Sequence, residues 1–409
     1  MRCRHCGAVT TLRLVDLGTA PPSNAYLNAD ALSGAEAWWP LRVLVCERCW
    51  LAQTEDFVGV DKLFSADYAY FSAYSTEWLA HAERYVAEMS SRFELDAESH
   101  VVEVAANDGY LLQYVRARGI PCTGIEPTAS TAASARERGI PIIEAFFGVK
   151  LAQKMARSGQ QADLITANNV LGHVPDINHF TRGFAILLKP HGVATFEFHH
   201  LKRLIDGCQF DTIYHEHFSY LSLTAVESIF MDAGLALFDV EELPTHGGSL
   251  RVFAQRVETG RHPRSPAVDD LLATEKAAGL RGPGYYSGFQ ERVLRIKHDF
   301  LSFLLSARAQ GKTVVGYGAA AKGNTLMNFA GVRPDLVAFV ADRNPAKQGK
   351  YLPGSRIPVV GVEALRRARP DFVIIFPWNL RNEVMNEHAY VGGWGGRFVT
   401  AVPKLTISP

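Results

Sequence analysis

Two Cys-x-x-Cys pairs near the start of the chain restrict what its first residues can form. The pairs are Cys3 with Cys6 and Cys46 with Cys49. Each pair places two thiolates one tight turn apart, and four thiolates complete a tetrahedral shell around Zn²⁺ that leaves no position for water. We predict a structural zinc site here rather than disulfides or redox-active thiols, because the rest of the chain has an intracellular character and holds two other cysteines.

Composition and charge exclude several functional classes. A chain of 409 residues is long enough for two or three domains. Lysine plus arginine equals aspartate plus glutamate, 42 against 42, so no overall field attracts nucleic acid or an anionic membrane. We expect a cytoplasmic protein without a nucleic-acid or membrane partner, since the sequence has neither a signal-peptide core nor a membrane-length apolar run.

From residue 100 onward the sequence alternates between short apolar strands and helices. Strands are predicted over residues 100–105, 122–126, 141–144, 162–167 and 192–197. Two later strands flank Gly247 and Gly248, which are typical of the tip of an antiparallel hairpin. This pattern predicts a parallel sheet with helices on both faces. Five parallel strands closed by such a hairpin are the strand order of class I methyltransferases.

An aromatic stretch over residues 67–75 precedes this sheet and leads into a helix whose apolar face carries Trp78 and Tyr85. The stretch includes Tyr68 and Tyr70. Its aromatic side chains could pack between modules or form a lid over a substrate, and the sequence leaves both interpretations open.

The turn after the first strand has the position of a cofactor-binding loop. In such sheets the ligand lies beyond the carboxyl ends of the strands, and a carboxylate ending the second strand accepts hydrogen bonds from the ribose. NAD and S-adenosylmethionine (SAM) both fit this pattern, and a solvated strand end is the plain alternative. The closing hairpin and the pocket-lining positions of Asn168 and Phe147 favour SAM. We assign these residues to the cofactor: Glu103, Ala105, Asn107, Gly109, Glu126, Phe147 and Asn168.

The segment just after the fifth strand, residues 210–220, is the richest in chemistry. A histidine such as His217 titrates near neutral pH and is a natural general base, and the hydroxyl of Tyr214 can donate to a developing oxyanion. His215 and His217 could instead bind a metal, and a solvated polar loop is the third interpretation.

A second, smaller α/β domain is predicted after a linker over residues 258–284 and a long helix over about 285–310. A glycine-rich turn follows its first strand, and backbone N–H groups at such a turn bind anions. We assign Gly318, Lys322 and Asn324 there to a phosphorylated substrate. Asp342, after the next strand, also allows an NAD site, which we disfavour because one chain would then hold two dinucleotide sites.

The motifs occur in one order along nearly the whole chain and together resemble the nucleotide-sugar C-methyltransferases of bacterial deoxysugar pathways, especially the C-3′ enzymes. The resemblance implies a class I SAM methyltransferase sheet flanked by an N-terminal zinc-binding module and a C-terminal Rossmann-like α/β domain that helps to hold the nucleotide sugar. We place these domains at residues 1–66, 67–257 and 258–409. Gly172 and the pair His199 and His200 depart from the otherwise matching stretches.

The family's substrate is a 4-keto-6-deoxy sugar on a nucleoside diphosphate. Its keto group acidifies the proton on C-3′, which His217 would remove while Tyr214 stabilises the enediolate. By resemblance Tyr68 and His173 point at the sugar and Glu216 supports the site; we also expect Tyr70 and Asn169 to contact substrate. An NAD-linked sugar oxidoreductase and a non-catalytic scaffold are the rival functions. The nucleotide base, the methylated carbon, the stereochemistry and the oligomeric state stay open.

Overall fold

The computed structural model of the protein describes residues 1–57, 59, 72–74 and 76–409. Its strands are β1 (Leu12–Ala20), β2 (Trp39–Val45), β3 (Ala52–Thr54), β4 (Val101–Val104), β5 (Cys122–Ile125), β6 (Ile142–Ile143), β7 (Ala162–Asn168), β8 (Leu188–His199), β9 (Ser219–Tyr220), β10 (Leu235–Leu243), β11 (Ser249–Arg256), β12 (Val314–Tyr317), β13 (Val340–Ala341), β14 (Val359–Val360), β15 (Phe372–Ile375), β16 (Arg397–Thr400) and β17 (Thr406–Ser408). Its α-helices are α1 (Thr76–Arg92), α2 (Leu112–Ala117), α3 (Ala129–Glu137), α4 (Val149–Arg157), α5 (Ile177–Leu187), α6 (Leu201–Asp206), α7 (Leu223–Asp232), α8 (Pro266–Ala277), α9 (Phe289–Ala309), α10 (Ala321–Ala330), α11 (Glu363–Ala368) and α12 (Arg381–Glu387). Of the helices in these ranges, none is long and apolar enough to cross a membrane.

The central sheet has the order β10-β11-β8-β7-β4-β5-β6. Strands β4 to β8 pair in parallel, and β11 pairs antiparallel with both β8 and β10. The predicted class I methyltransferase order is therefore confirmed. Because the carboxyl ends of the parallel strands lie at one edge, the turns after β4, β5, β7 and β8 meet there.

The N-terminal sheet has the order β1-β2-β3-β9, and its last strand comes from the central part of the chain. Ala52 pairs with Tyr220 and Gln53 with Ser219 in antiparallel register. The zinc module therefore shares a sheet with the strand that directly follows the predicted catalytic cluster.

The C-terminal sheet has the order β14-β13-β12-β15-β16-β17. All of its pairs are parallel except that of β17 with β16. One apolar cluster joins this domain to the other two, with Val43, Phe210, Phe289 and Ile374 among its fully buried members. The predicted second α/β domain is confirmed, and it packs against the rest of the chain.

The predicted linker over residues 258–284 is wrong for its middle part, which forms helix α8. Ser265 caps this helix by accepting a hydrogen bond from the backbone N–H of Ala267, and Pro266 begins it. Glu275 of α8 is fully buried and bonds the ring of His200 at 2.7 Å. The content of proline, glycine and charged residues suggested a linker, but a docked helix needs apolar residues on one face only.

Candidate active site

The four predicted zinc ligands come together at one end of the N-terminal sheet. The sulfur atoms of Cys3, Cys6, Cys46 and Cys49 all lie within 4.8 Å of one another. A tetrahedral Zn²⁺ with Zn–S bonds of about 2.3 Å separates its sulfurs by about 3.8 Å. The closest sulfur pairs are 3.5 Å apart, so the four thiolates fit a structural zinc ion with a closed shell.

The first zinc knuckle is docked on the central domain by the two residues between its cysteines. Arg4, whose side chain is 5% exposed, donates to the carbonyl oxygens of Pro175 at 3.0 Å and Thr54 at 2.9 Å. The ring of His5 bonds Oδ1 of Asn178 at 2.8 Å. Zn²⁺ held by the four cysteines would therefore organise residues that also contact the loop after His173.

A cavity of ≈ 1690 Å³ lies where the carboxyl edges of the central and C-terminal sheets face each other. Its walls include predicted cofactor residues Asn107 and Glu126, predicted catalytic residues His217 and Tyr214, and Lys322 from the C-terminal domain. The structure thus brings the three groups of predicted functional residues around one space. Tyr68 and Tyr70 lie outside the described residues.

The turn after β4 has the backbone conformation of a glycine loop without its early glycines. The φ angles are +60° at Ala105, +49° at Asn107 and +77° at Gly109. Residues with side chains rarely adopt such angles, although asparagine does so more readily than alanine. A Cβ at Gly109 would also lie 3.0 Å from a side-chain carbon of Ile140. The loop is hard to recognise in the sequence because Ala105 and Asn107 keep the positive φ angles that glycine usually adopts in such a turn.

Glu126 connects the two turns of the cofactor site. Its Oε2 accepts the backbone N–H of Asn107 and its Oε1 that of Thr128, both at 2.9 Å. Burial raises the pKa of Glu126, and these N–H groups oppose the rise. Each oxygen keeps a lone pair, so the carboxylate can still accept ribose hydroxyls. Glu103 lies deeper: it is 1% exposed, burial raises its pKa well above the usual value, and it is not part of the cavity wall.

The remaining predicted cofactor residues border the same end of the cavity. Phe147 lines it and packs edge to face on Phe184, with ring centroids 5.0 Å apart. Asn168 ends β7, and its neighbour Asn169 has a φ of +55° and donates its backbone N–H to the carbonyl of Glu197 at 2.7 Å. Both asparagines line the cavity.

Replacing Glu126 with alanine should weaken SAM binding by one to two hydrogen bonds to a charged group, roughly 1.5–3 kcal/mol each at most. Calorimetric titration with SAM measures the change. Glu137→Ala is a matched control, since Glu137 is exposed at the end of α3. Unchanged affinity in Glu126→Ala would place the ribose elsewhere.

His217 has the geometry of a general base. Its Nδ1 lies 2.8 Å from the carbonyl oxygen of Thr212, which can only accept, so Nδ1 carries the hydrogen and Nε2 of the neutral ring is left as the proton acceptor. Burial, together with the neighbouring ring of His173, lowers the pKa of His217 well below its usual value. The imidazole is therefore neutral and able to accept a proton at neutral pH.

Tyr214 and His173 flank this imidazole. The ring centroid of Tyr214 lies 3.9 Å from that of His217, and the ring of His173 meets His217 edge to face at 4.6 Å. Burial lowers the pKa of His173 to about 4, although a bond to the backbone of Asn169 opposes this shift. His173 is thus a neutral ring that can donate or accept a hydrogen bond.

Two predicted site residues lie behind the cavity wall. Glu216 is 1% exposed, and its Oε1 accepts hydrogen bonds from Asn24 of the zinc module. Asn324 is fully buried and donates to the backbone carbonyl of Ser23 at 2.6 Å. Neither belongs to the cavity lining, and both bond the segment around Asn24.

Lys322 and Gly318, the residues assigned to a phosphorylated substrate, line the cavity from the C-terminal domain. The Nζ atom of Lys322 donates to Asn379 at 2.8 Å and lies 4.4 Å from the ring centroid of Trp378. Burial lowers the pKa of Lys322 to about 8, and the charge of Asp211 opposes the shift. Gly318 has a φ of +83°, and a Cβ there would lie 2.6 Å from Pro377, so only glycine fits.

A buried ionic network in the cavity wall was missed by the sequence analysis. Nε2 of His81 lies 2.8 Å from Oε2 of Glu197, and Arg251 holds the other carboxylate oxygen at 2.7 Å. Burial opposes ionisation, but the bond to His81 and the charge of Arg251 lower the pKa of Glu197. Glu197 and Arg251 are paired across β8 and β11. The sequence did contain a signal for this network, namely a charged residue inside each of two apolar strands.

His246 and His199 also line the cavity near Lys322. Burial lowers the pKa of His246 to about 4 and that of His199 to about 3, and the charge of Lys322 adds to both shifts. His199 bonds the side chain of Gln209 at 2.7 Å. Both rings are neutral, whereas Lys322 supplies a positive charge to this part of the wall.

Two alternatives were left open for these residues: a metal site at His215 and His217, and an NAD site near Asp342. A metal site at His215 and His217 is not formed, because the ring of His215 bonds the carbonyl of Pro40 at 3.2 Å and that of His217 bonds the carbonyl of Thr212. Within the described ranges, the zinc cysteines are the one cluster of three or more metal-ligating side chains. The oxygens of Asp342 accept backbone N–H groups of Ala319 and Asn344, at 2.6 and 2.7 Å, in the manner of Glu126.

Three family models match consecutive parts of the chain. They describe a zinc binding domain over residues 3–64, a methyltransferase domain over residues 78–240 and a C-methyltransferase C-terminal domain over residues 244–403. The chain is 34% identical over 403 residues to the C-methyltransferase NovU of Streptomyces niveus, and the match covers 98% of this chain and 95% of NovU.

Solved structures similar to the chain include two proteins of low identity. The magnesium protoporphyrin IX methyltransferase ChlM from Synechocystis PCC 6803, with bound SAM, is 16% identical, covers 44% of this chain and 79% of its own, and has a TM-score of 0.34. The PH0226 protein from Pyrococcus horikoshii OT3 is 15% identical, covers 49% of this chain and 100% of its own, and has a TM-score of 0.38.

Proposed function

Because this chain belongs to the family of SAM-dependent C-methyltransferases that carry an N-terminal zinc-binding domain, we propose that it methylates a ring carbon, C-3′, of a nucleotide-linked 4-keto-6-deoxy sugar. The reaction would serve branched deoxysugar biosynthesis. The domain division at residues 1–66, 67–257 and 258–409 belongs to this proposal.

The observation that carries the proposal is the environment of His217. Its Nδ1 is committed to the carbonyl of Thr212, and the ring lines the cavity shared by the cofactor loop and Lys322. A positioned neutral imidazole can remove a proton from a carbon next to a carbonyl group. A 4-keto sugar offers such a proton at C-3′, and its removal leaves an enolate whose C-3′ is nucleophilic.

Each neighbouring side chain has a distinct task in this step. Nε2 of His217 takes the C-3′ proton, and the hydroxyl of Tyr214 donates a hydrogen bond to the oxygen that becomes negative. The negative charge on that oxygen favours the imidazolium form of His217, which offsets the effect of burial on its pKa. We assign His173, and Tyr68 by family resemblance, to contacts that orient the sugar.

SAM, when bound, supplies a methyl group on a positively charged sulfur. The residues that would hold it are Asn107, Glu126, Phe147 and Asn168, with Ala105 and Gly109 shaping the loop. The proposed proton acceptor and this donor site line the same cavity, which supports a reaction between them on one bound substrate. Such proximity replaces a bimolecular encounter and lowers the entropic part of the barrier.

The C-terminal wall would bind the nucleoside diphosphate. Lys322 supplies a cation in a buried setting, where charge pairing with a phosphate is strong. Gly318 keeps the turn after β12 open, and helix α10 begins three residues later. Asn169 and Tyr70, the latter outside the described residues, complete the assigned substrate contacts.

Mass spectrometry of a panel of 4-keto nucleotide sugars, each incubated with the protein and SAM, tests this function. We expect a mass gain of one CH₂ in at least one sugar, with the new methyl group at C-3′ by NMR. A parallel incubation with NAD in place of SAM is the control for the oxidoreductase alternative. Substrate oxidation with NAD and no methylation with SAM would contradict the proposal.

A further inference from the structure

We propose that Asn24 of the zinc module is a substrate-binding residue that contacts the sugar ring beside the reacting carbon, and that Glu216 positions it. This inference rests on the proposed function, because it names a further contact for the same methyl acceptor. It gives the N-terminal module a direct part in the active site.

Asn24 is the residue of the zinc module that reaches the cavity in the described part of the chain. It is half-buried there, on the same wall as Tyr214 and His217. Its backbone N–H and its Nδ2 both donate to Oε1 of Glu216, each at 3.2 Å. Glu216 lies between Tyr214 and His217 in sequence. These two hydrogen bonds therefore hold Asn24 against the proposed catalytic segment.

The chain on both sides of Asn24 is clamped by the C-terminal domain. The carbonyl of Ser23 accepts a hydrogen bond from Asn324 at 2.6 Å, and the hydroxyl of Tyr26 donates to the carbonyl of Ala319 at 2.5 Å. Leu27 forms an antiparallel bridge with Tyr351. A segment held from two domains presents its one cavity-facing side chain in a fixed position.

The carboxamide of Asn24 suits an uncharged, oxygen-rich ligand such as a sugar ring. One N–H of Nδ2 is used by Glu216, which leaves the second N–H as a donor and Oδ1 as an acceptor. Among the described residues, Oδ1 has no hydrogen-bond partner and is not buried. A hydroxyl or keto oxygen next to C-3′ can use both atoms.

This geometry also gives a role to Glu216, which is buried and cannot contact the sugar itself. Glu216 does not line the cavity, so it can influence the sugar only through the groups it bonds. A carboxylate in this position holds both the backbone and the side chain of Asn24. Glu216 is therefore a positioning residue.

Steady-state kinetics of Asn24→Ala tests the inference, with a 4-keto nucleotide sugar that the wild-type protein methylates as substrate. We expect kcat/KM for the sugar to fall about 10- to 100-fold, the effect of losing one or two hydrogen bonds, with SAM affinity and zinc content unchanged. Asn28→Ala is the matched control, since Asn28 is exposed in the same module. We expect its kcat/KM to match that of the wild type.

Variants of Glu216 test the positioning role. Glu216→Ala should lose about as much as Asn24→Ala, and the double variant should lose no more than either single one. Glu216→Gln should recover most of the activity, because its amide oxygen still accepts from Asn24. Losses that multiply in the double variant would show that Glu216 acts independently.

The outcomes separate this inference from the proposed function. An Asn24→Ala enzyme as active as the wild type, or losses as large in Asn28→Ala, would overturn the role of Asn24 while leaving the methylation of sugars intact. A wild-type protein that methylates none of the 4-keto nucleotide sugars would overturn the proposed function and this inference with it.

Discussion

Replacing His217 with alanine should lower the rate of sugar methylation by about 10²–10⁴-fold, the usual span for a positioned general base. The loss is expected in kcat, with SAM affinity close to that of the wild type, because His217 is not among the residues proposed to hold SAM. Solvent deuterium isolates the proton-transfer step. Wild-type protein with a keto sugar should exchange the C-3′ proton, and the variant should not.

Two further variants separate the base from its surroundings. His217→Asn keeps an N–H that can donate to the carbonyl of Thr212, so it should retain the local structure and still lose most of the rate. Tyr214→Phe should lose less than His217→Ala, because one donor to the oxyanion is removed while the base remains. Near wild-type methylation by His217→Ala would exclude it as the base and transfer the role to His173 or Tyr68.

The pH profile of the wild-type enzyme follows from the same geometry. A histidine whose pKa is lowered stays neutral, and therefore basic, well below the ordinary value of about 6.5. We expect kcat/KM to be flat around neutral pH and to fall only in more acid solution, as the ring becomes protonated. A fall centred at or above the ordinary histidine value would contradict this assignment.

Replacing Cys46 with serine should release zinc and unfold the N-terminal module. Structural zinc sites contribute about 10–16 kcal/mol of apparent binding free energy in small zinc-finger peptides, more than the stability of most domains. The effect should reach the active site, because β3 follows Cys49 closely and pairs with β9, two residues after His217. Thr54 also donates its hydroxyl hydrogen to the carbonyl of His217 at 3.1 Å.

Elemental analysis and thermal unfolding measure the two parts of this prediction. We expect one Zn²⁺ per wild-type chain, none in Cys46→Ser, a lower unfolding temperature and a large loss of methylation. Cys122→Ser is the matched control, because this half-buried thiol lies in β5, outside the zinc cluster. Full activity without stoichiometric metal would contradict both the structural role and its coupling to the catalytic segment.

Local patterns were sufficient for much of the fold and for a proposal of the reacting groups. The spacing of Cys3, Cys6, Cys46 and Cys49 predicts the metal site because tetrahedral coordination by paired thiolates requires little else. The alternation of strands and helices predicts the central sheet, because buried parallel strands need continuous apolar runs. His217 and Tyr214 could be proposed as reacting groups because their side-chain chemistry and their place after a strand are both visible in the sequence.

Contacts between distant segments were decided only by the tertiary structure. The sequence patterns did not single out Asn24, and nothing local connects it with Glu216, which is far away in the chain. The pairing of His81 with Glu197 likewise depends on how α1 packs over the central sheet. Asn324, assigned to the substrate from its glycine-rich turn, instead holds Ser23 in place. A sequence pattern fixes local geometry and chemical type, whereas the partner of a buried polar group depends on which segments the packed domains bring together.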